Sequence, residues 1–341
     1  MPDRIKVCVA GAGAIGGILA ARFALAGHEV SVIARGPHLA AILRHGLVLV
    51  DHLDSQTRTT HRLEADGDPQ ALSDRIGPQD VIILAAKANA LGQLLPRISP
   101  LMHAETLVVP AINGLPWWYF AREGGPHEGR VIKAVDPQGA LMAAIDARHI
   151  IGCVVHLAGE VRAPGEVHHT AGRRLIFGEI DVGLPDAATS RVTNLNAAVN
   201  GAGLEGIVSR AIRQDVWVKL VGNLSFNPVA ALTGALMDAI CADERLVEVL
   251  VPMLNEGMEV ARAFGIPVAM SASERIDLAR QLGRAKISML QDFEAGRPPE
   301  IDAIVGSVLE LAELSNVPAP TVRLVDALVR ARARHLGLLA A

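Results

Sequence analysis

Cysteine is scarce in this chain. The three present, Cys8, Cys153 and Cys241, lie far apart and lack the spacing of a metal-ligand set or a disulfide framework. Two of them sit in apolar runs that read as strands, the pattern of thiols acting as small core hydrophobes in a reducing compartment. A basic excess is also missing. The 32 Lys and Arg residues are outnumbered by 36 Asp and Glu, for a formal charge of −4, which argues against a nucleic-acid partner. No apolar run of membrane-spanning length is free of charge or punctuation, so no membrane partner is expected. Internal repeats and low-complexity tracts are absent, and "MPDRIKVCVAGAG" moves straight into a strand with no targeting region. A soluble cytoplasmic protein is the simplest expectation.

What is present is abundant apolar character. Half of the 341 residues are hydrophobic and the mean hydropathy is +0.32, enough for sizeable cores and, at this length, about two domains. The segment "KVCVAGAGAIGGILAARFALAGHEVSVIAR" reads as a buried strand, a glycine turn, a helix and a second buried strand. "DVIILAAKA" and "TLVVPAING" repeat the theme, and short apolar strands alternating with helices indicate a parallel sheet. Between Val131 and Glu179 the strands become partly alternating, suggesting antiparallel additions to the same sheet. From about Ala187 the apolar spacing is helical to the end. The expected fold class is therefore α/β, a Rossmann-type N-terminal domain over residues 1–186 and an all-helical C-terminal domain over 187–341. The junction falls near Leu184–Ala188 in "GLPDAA".

The motif "GAGAIG" lies directly between the first strand and its helix. Gly11 permits the tight turn, Gly13 lets backbone approach a pyrophosphate, and Gly16 allows helix and strand to pack closely. With Ala14 and Ile15 opening the helix, its free N–H groups suit the phosphates of a dinucleotide. At the end of the second strand, where an acid would grip the ribose hydroxyls of NAD, the chain reads Ala34–Arg35. Arg35 suits a 2′-phosphate, so NADP(H) is the expected cofactor. A plain surface arginine is the alternative. Lys87 and Asn113 end later strands at the ligand-binding edge of such a sheet, as cleft residues or as strand-end caps.

The helical stretch "WVKLVGNLSFNP" carries Lys219, Asn223 and Asn227 at four-residue intervals, which stacks them on one face. Burying an amine and two amides is costly unless they satisfy one another or a ligand. The bland alternative is that Lys219 snorkels to water while the asparagines make local bonds.

In order along the chain, "GAGAIGG", Arg35, Lys87, Asn113–Gly114, "KLVGNLSFNPVAALTG" and "SMLQDFEAGRPPEID" resemble the ketopantoate reductase (2-dehydropantoate 2-reductase) family. The resemblance runs from about Lys6 to Pro320. It implies a Rossmann-type domain and a helical domain with the active site between them, and NADPH reduction of a 2-keto acid, 2-dehydropantoate, to pantoate. It makes Lys219 the catalytic lysine, with Asn223 beside it. Asn227 and Asn113 become substrate-site companions, Asn113 also touching cofactor, Ser288 a carboxylate ligand and Glu300 the acid at the keto or hydroxyl group. The chemistry agrees, since hydride delivery leaves negative charge on oxygen that an ammonium can stabilise and protonate. Ser288 and Glu300, twelve residues apart, meet only if "EAGRPP" folds the chain back.

Two departures bear on substrate, Ala285 and the tryptophan cluster, and a third, Ile112, removes a polar group near the cofactor. Ala285 stands where the family commonly has an asparagine, with Lys286 beside it as a substitute or a solvent-facing residue. Ile112 stands where the family often has glutamine. The cluster Trp117–Trp118–Tyr119 admits three readings: lining a pocket for a bulkier 2-keto acid, packing a loop, or a dimer contact. A reductase of a bulkier acid and a non-catalytic NADP(H)-binding redox sensor are the alternative functions. A homodimer is left open. No metal is expected, because the adjacent His168 and His169 would point to opposite faces of a strand and lysine supplies the electrophilic help.

Overall fold

The computed structural model describes residues 4–54, 57–182 and 189–340. The junction expected at Leu184–Ala188 lies outside the described residues. The elements run β1 (Lys6–Ala10), α1 (Ala14–Leu25), β2 (Glu29–Ile33), α2 (Gly36–His45), β3 (Leu47–Asp51), β4 (Thr57–His61), β5 (Glu64–Asp66), α3 (Pro69–Ile76), β6 (Val81–Leu84), α4 (Ala88–Leu94) and β7 (Leu107–Pro110). They continue with α5 (Ala140–Ala144), β8 (Ile151–Ala163), β9 (Glu166–Glu179), α6 (Ser190–Gly201) and β10 (Glu205–Val208). The rest is helical: α7 (Ile212–Thr233), α8 (Met237–Ala242), α9 (Glu244–Ala263), α10 (Ala272–Arg280), α11 (Ser288–Glu294), α12 (Ser307–Ser315) and α13 (Pro320–His335).

The first sheet is all parallel, in the order β5-β2-β1-β6-β7. Its central strands are buried along most of their length, which is why they read as continuous apolar runs. The later strands meet it at a single parallel bridge among the described residues, Val108 of β7 with Ile150 just before β8, and otherwise do not extend it as the sequence expectation had it. They form a second sheet in which β9 pairs with β3 and β10 in parallel and with β8 antiparallel, while β4 runs antiparallel on β3. Helix α1 explains the separation. A Cβ on Gly17 would lie 2.6 Å from Val167 of β9, and one on Gly159 of β8 would lie 2.4 Å from Ile18. One side of α1 therefore carries the second sheet, and the helix is buried from Gly16 to Phe23, with Arg22 as its one charged residue, paired with Asp51. The strand β10 departs from the helical pattern expected after residue 187. Its residues are only half covered, so its period is hard to read, and pairing with β9 decides its state.

The tryptophan cluster settles on one of its three readings. Trp117, Trp118, Tyr119 and Phe120 are each at most 2% exposed, and Trp118 lies over Gly152 of β8, where a Cβ would be 3.1 Å from its ring. Trp118 packs the loop against the second sheet, and all four side chains are buried.

The chain divides into two compact units. The first comprises Met1–Ile112, Trp117–Val131 and Gln138–Ile212; the second comprises Asn113–Pro116, Ile132–Pro137 and Arg213–Ala341. In the second, α9 is the amphipathic scaffold, burying Leu250, Met253, Leu254, Val260 and Ala261 against α8, α12 and α13. Glu256 of α9 accepts from the Thr321 and Val322 N–H groups and so caps α13, and Glu310 of α12 accepts from Lys133 and Ala134. No helix among the described residues is long and apolar enough to cross a membrane.

Candidate active site

In the first unit, the chain turns from β1 into α1 through Gly11, whose φ of +109° requires glycine. A Cβ there would also lie 2.6 Å from the backbone of Ala86, and one on Gly16 only 1.9 Å from the Gly11 carbonyl oxygen. Both positions are closed to any side chain. Gly13 differs: nothing lies within 4 Å of where its Cβ would be, so the space over it is open. It is the N-cap of α1 and offers no side-chain acceptor, which leaves the first-turn N–H groups, those of Ala14 and Ile15 included, for an anion. An open, uncapped, glycine-lined helix start fits a dinucleotide pyrophosphate. Lys87 follows β6 immediately after Ala86, beside this loop, and opens α4.

Arg35 is exposed and stands at the N-cap of α2, two residues past β2. The acid that β-pairing brings to the end of β2 is Asp66, opposite Ile33. Its carboxylate accepts from the Asp68 N–H and from Arg75, and these bonds hold it below the usual carboxylate range. Arg35 is thus the charge facing solvent at this strand end, and the nearby acid is committed elsewhere.

In the second unit, α7 carries the three polar residues that the sequence stacks on one face. Lys219 and Asn223 are half-buried, whereas Asn227 is 2% exposed. Lys219 Nζ donates to Asn113 Oδ1 at 2.8 Å, and Asn113 Nδ2 reaches Glu300 Oε2 at 3.4 Å. The asparagine joins ammonium and carboxylate into one polar line. Asn223, one turn after Lys219, keeps its amide clear of hydrogen bonds to other described residues.

The backbone explains why Asn113 meets Glu300 across 187 positions of sequence. After Glu300 the helix widens into a π turn over Asp302–Gly306. The Ala303 carbonyl accepts from the Leu115 N–H at 2.8 Å and from Ser307 Oγ at 2.7 Å. The loop after Asn113 docks on that carbonyl through Gly114, where φ is +82° and a Cβ would lie 2.3 Å from the Ala303 oxygen. Only glycine allows this approach.

Ser288 opens α11, and Asn227 holds it there. Asn227 Oδ1 accepts from Ser288 Oγ at 3.3 Å and from the Met289 N–H at 3.2 Å, acting as a brace between α7 and α11. The chain then folds back at "EAGRPP". Helix α11 stops at Glu294, Gly296 takes φ +62°, and the Arg297 N–H closes onto the Asp292 carbonyl. Lys286 does not turn toward Ser288. Its ammonium is exposed and paired with Glu294 at 2.6 Å. The six residues Asn113, Lys219, Asn223, Asn227, Ser288 and Glu300 all belong to the second unit, and the glycine loop, Arg35 and Lys87 belong to the first.

The paired histidines do separate. His168 bonds Glu166 and His52, while His169 reaches the Gly172 carbonyl, so both serve the second sheet.

Sequence reasoning passed over Arg275. It lies in α10, and its guanidinium covers Gly222 of α7. The available signal was a glycine in the middle of a strong helical pattern, a place that ordinarily lowers helix stability by about 1 kcal/mol and so asks for a reason.

Comparison with known proteins places these features in context. A family model for "Ketopantoate reductase PanE/ApbA" matches residues 7–182, and its "C terminal" counterpart matches residues 211–333. A 2-dehydropantoate 2-reductase of Mesorhizobium japonicum is 43% identical over 335 residues, covering 98% of this chain and 99% of that protein. A candidate ketopantoate reductase from Ralstonia solanacearum MolK2 superposes with a TM-score of 0.91 at 42% identity, covering 98% of this chain and all of the other. A D-mandelate dehydrogenase with NADH and anilino(oxo)acetate shares the fold, with a TM-score of 0.84 at 20% identity over 98% of this chain and all of the other.

Proposed function

The chain belongs to the ketopantoate reductase family, and on that premise we propose that it reduces 2-dehydropantoate to pantoate with NADPH. The observation that carries the reading is the line Lys219–Asn113–Glu300, a cation and an acid held by one amide within a half-buried face.

The reduced nicotinamide supplies the hydride when bound. Lys219 stabilises the negative charge that grows on the substrate oxygen and donates the proton that makes the hydroxyl. Asn113 Oδ1 aims the ammonium, so that Lys219 needs no reorganisation as charge develops. Glu300 accepts a hydrogen bond from the new hydroxyl, and Asn113 orients it. Asn223 adds an amide beside the lysine without the charge that would trap it in an ion pair. Asn227 fixes Ser288 against the substrate. The glycine loop holds the pyrophosphate, Lys87 stands beside it, and Arg35 selects NADP(H) over NAD(H).

Supporting the cofactor choice are the exposed Arg35 and the commitment of Asp66 to Arg75. The buried tryptophans remove the main feature that favoured a bulkier substrate. The test is NADPH oxidation by the purified protein with 2-dehydropantoate, beside bulkier 2-keto acids and an NADH control. Turnover of 2-dehydropantoate that collapses in Lys219→Met is the expected result. NADPH binding without turnover of any 2-keto acid sinks the enzyme reading in favour of a redox sensor.

A further inference from the structure

Along α7, Gln214, Asp215, Val218, Lys219 and Asn223 are the partly exposed positions of one stripe, spaced three and four apart. Gly222 belongs to the same stripe and yet is buried. Its cover is Arg275: a Cβ at 222 would lie 2.0 Å from Nη2, 2.7 Å from Cζ and 2.7 Å from Nε of that guanidinium. The backbone at 222 does not have a positive φ, so conformational freedom does not explain the glycine; space for the guanidinium does. Residues three apart on a helix stand about 5–6 Å apart at Cβ, so the guanidinium covers a position one turn from Lys219.

The guanidinium is poorly served by protein. Its Nε is buried without a hydrogen-bond partner, and among the described residues no carboxylate pairs with it. Desolvation pushes its pKa below the ordinary arginine value, though an arginine keeps its charge. A guanidinium with a buried, unbonded Nε and no paired acid, lying on the same helix face as Lys219, is suited to an anionic ligand.

The substrate of the proposed reduction carries such an anion at a fixed place. In a 2-keto acid the carboxylate is bonded directly to the keto carbon. If Lys219 meets the keto oxygen, the carboxylate falls within one helical turn of it. The other candidates bring no free positive charge. Ala285 has no polar group, Lys286 is spent on Glu294, and Ser288 and Asn223 offer neutral donors only. We propose that Arg275, lying over Gly222, binds the carboxylate of the 2-keto acid through its planar fork, and that this replaces the amide missing at Ala285. The inference rests on the reductase reading above.

The experiment is steady-state kinetics of NADPH oxidation for wild type, Arg275→Met, Arg275→Lys and Gly222→Ala, each with the 2-keto acid and with its carboxamide. Melting temperatures accompany the series. Loss of a bidentate, charge-assisted contact should raise KM for the acid about 10- to 100-fold in Arg275→Met, with NADPH affinity unchanged. The same variant should lose most of the preference for acid over amide. Arg275→Lys should recover part of it. Gly222→Ala, which pushes the fork aside, should raise KM in the same direction. Methionine also covers Gly222, so a merely packing arginine predicts an unchanged KM in Arg275→Met, and that result overturns the inference while leaving the reductase reading intact. A variant that unfolds is replaced in the argument by Gly222→Ala, where an unchanged KM overturns it equally. Wild type that turns over no 2-keto acid overturns both.

Discussion

Lys219 and Arg35 are side chains whose charge decides what they can do. In the proposed mechanism, removing the ammonium in Lys219→Met takes away both proton donor and oxyanion partner. The expected loss in kcat is about 10²- to 10⁴-fold, with NADPH affinity unchanged by fluorescence titration. A kcat within threefold of wild type would move the proton donor elsewhere. Arg35→Ser should weaken NADPH binding about 10- to 100-fold and leave NADH binding nearly unaltered, because in the role proposed for Arg35 only the 2′-phosphate loses a partner. Equal effects on the two cofactors would make Arg35 a general surface residue. Cys8 illustrates the opposite case, a reactive group made inert. Burial in β1 pushes its thiol up to about 12, so thiolate is almost absent near neutrality. A thiol reagent at pH 8 should leave Cys8 unmodified in the native protein and label it only after denaturation.

At the scale of the element, the glycine turn separates folding from ligand binding within four residues. Gly16→Ala places a methyl 1.9 Å from the Gly11 carbonyl oxygen, and backbone must move to admit it. Gly13→Ala meets nothing within 4 Å. The expected outcome is a melting temperature clearly lowered in Gly16→Ala. In Gly13→Ala the melting temperature stays near wild type while NADPH affinity falls at least tenfold, because the methyl occupies the phosphate's place. Unchanged NADPH affinity in Gly13→Ala would remove the pyrophosphate from this loop. The π turn after Glu300 is the second element that makes a site. It presents the Ala303 carbonyl to the loop of Asn113, and an α-helix of the same sequence would use that carbonyl in its own ladder.

Across the whole molecule, the acid response follows from histidines of the first unit, His169 buried and the others partly buried. His28, His38, His61 and His169 all fall below their ordinary value of 6.5, mainly through desolvation. The unfolded chain therefore takes up these protons first. Stability is fully present above about pH 6.5 and is lost as pH falls below it toward the depressed native values. The melting temperature should drop between pH 7.5 and 5.5, and His169→Gln should flatten part of that drop. A flat profile over that range would contradict the assignment. Much of this architecture is legible in the chain itself. The strand–glycine–helix unit, the helical C-terminal half and the four-residue spacing of Lys219, Asn223 and Asn227 are local patterns, set by period and by backbone freedom. The second sheet was not legible as separate, because alternation along β8 and β9 tells which face is buried but not which element covers it. Arg275 over Gly222, Asn227 bracing Ser288, and Asn113 between Lys219 and Glu300 are likewise products of the tertiary structure. Each joins residues tens of positions apart or more, and a sequence carries the period of its own helices and strands, not the packing that brings distant ones to within a hydrogen bond.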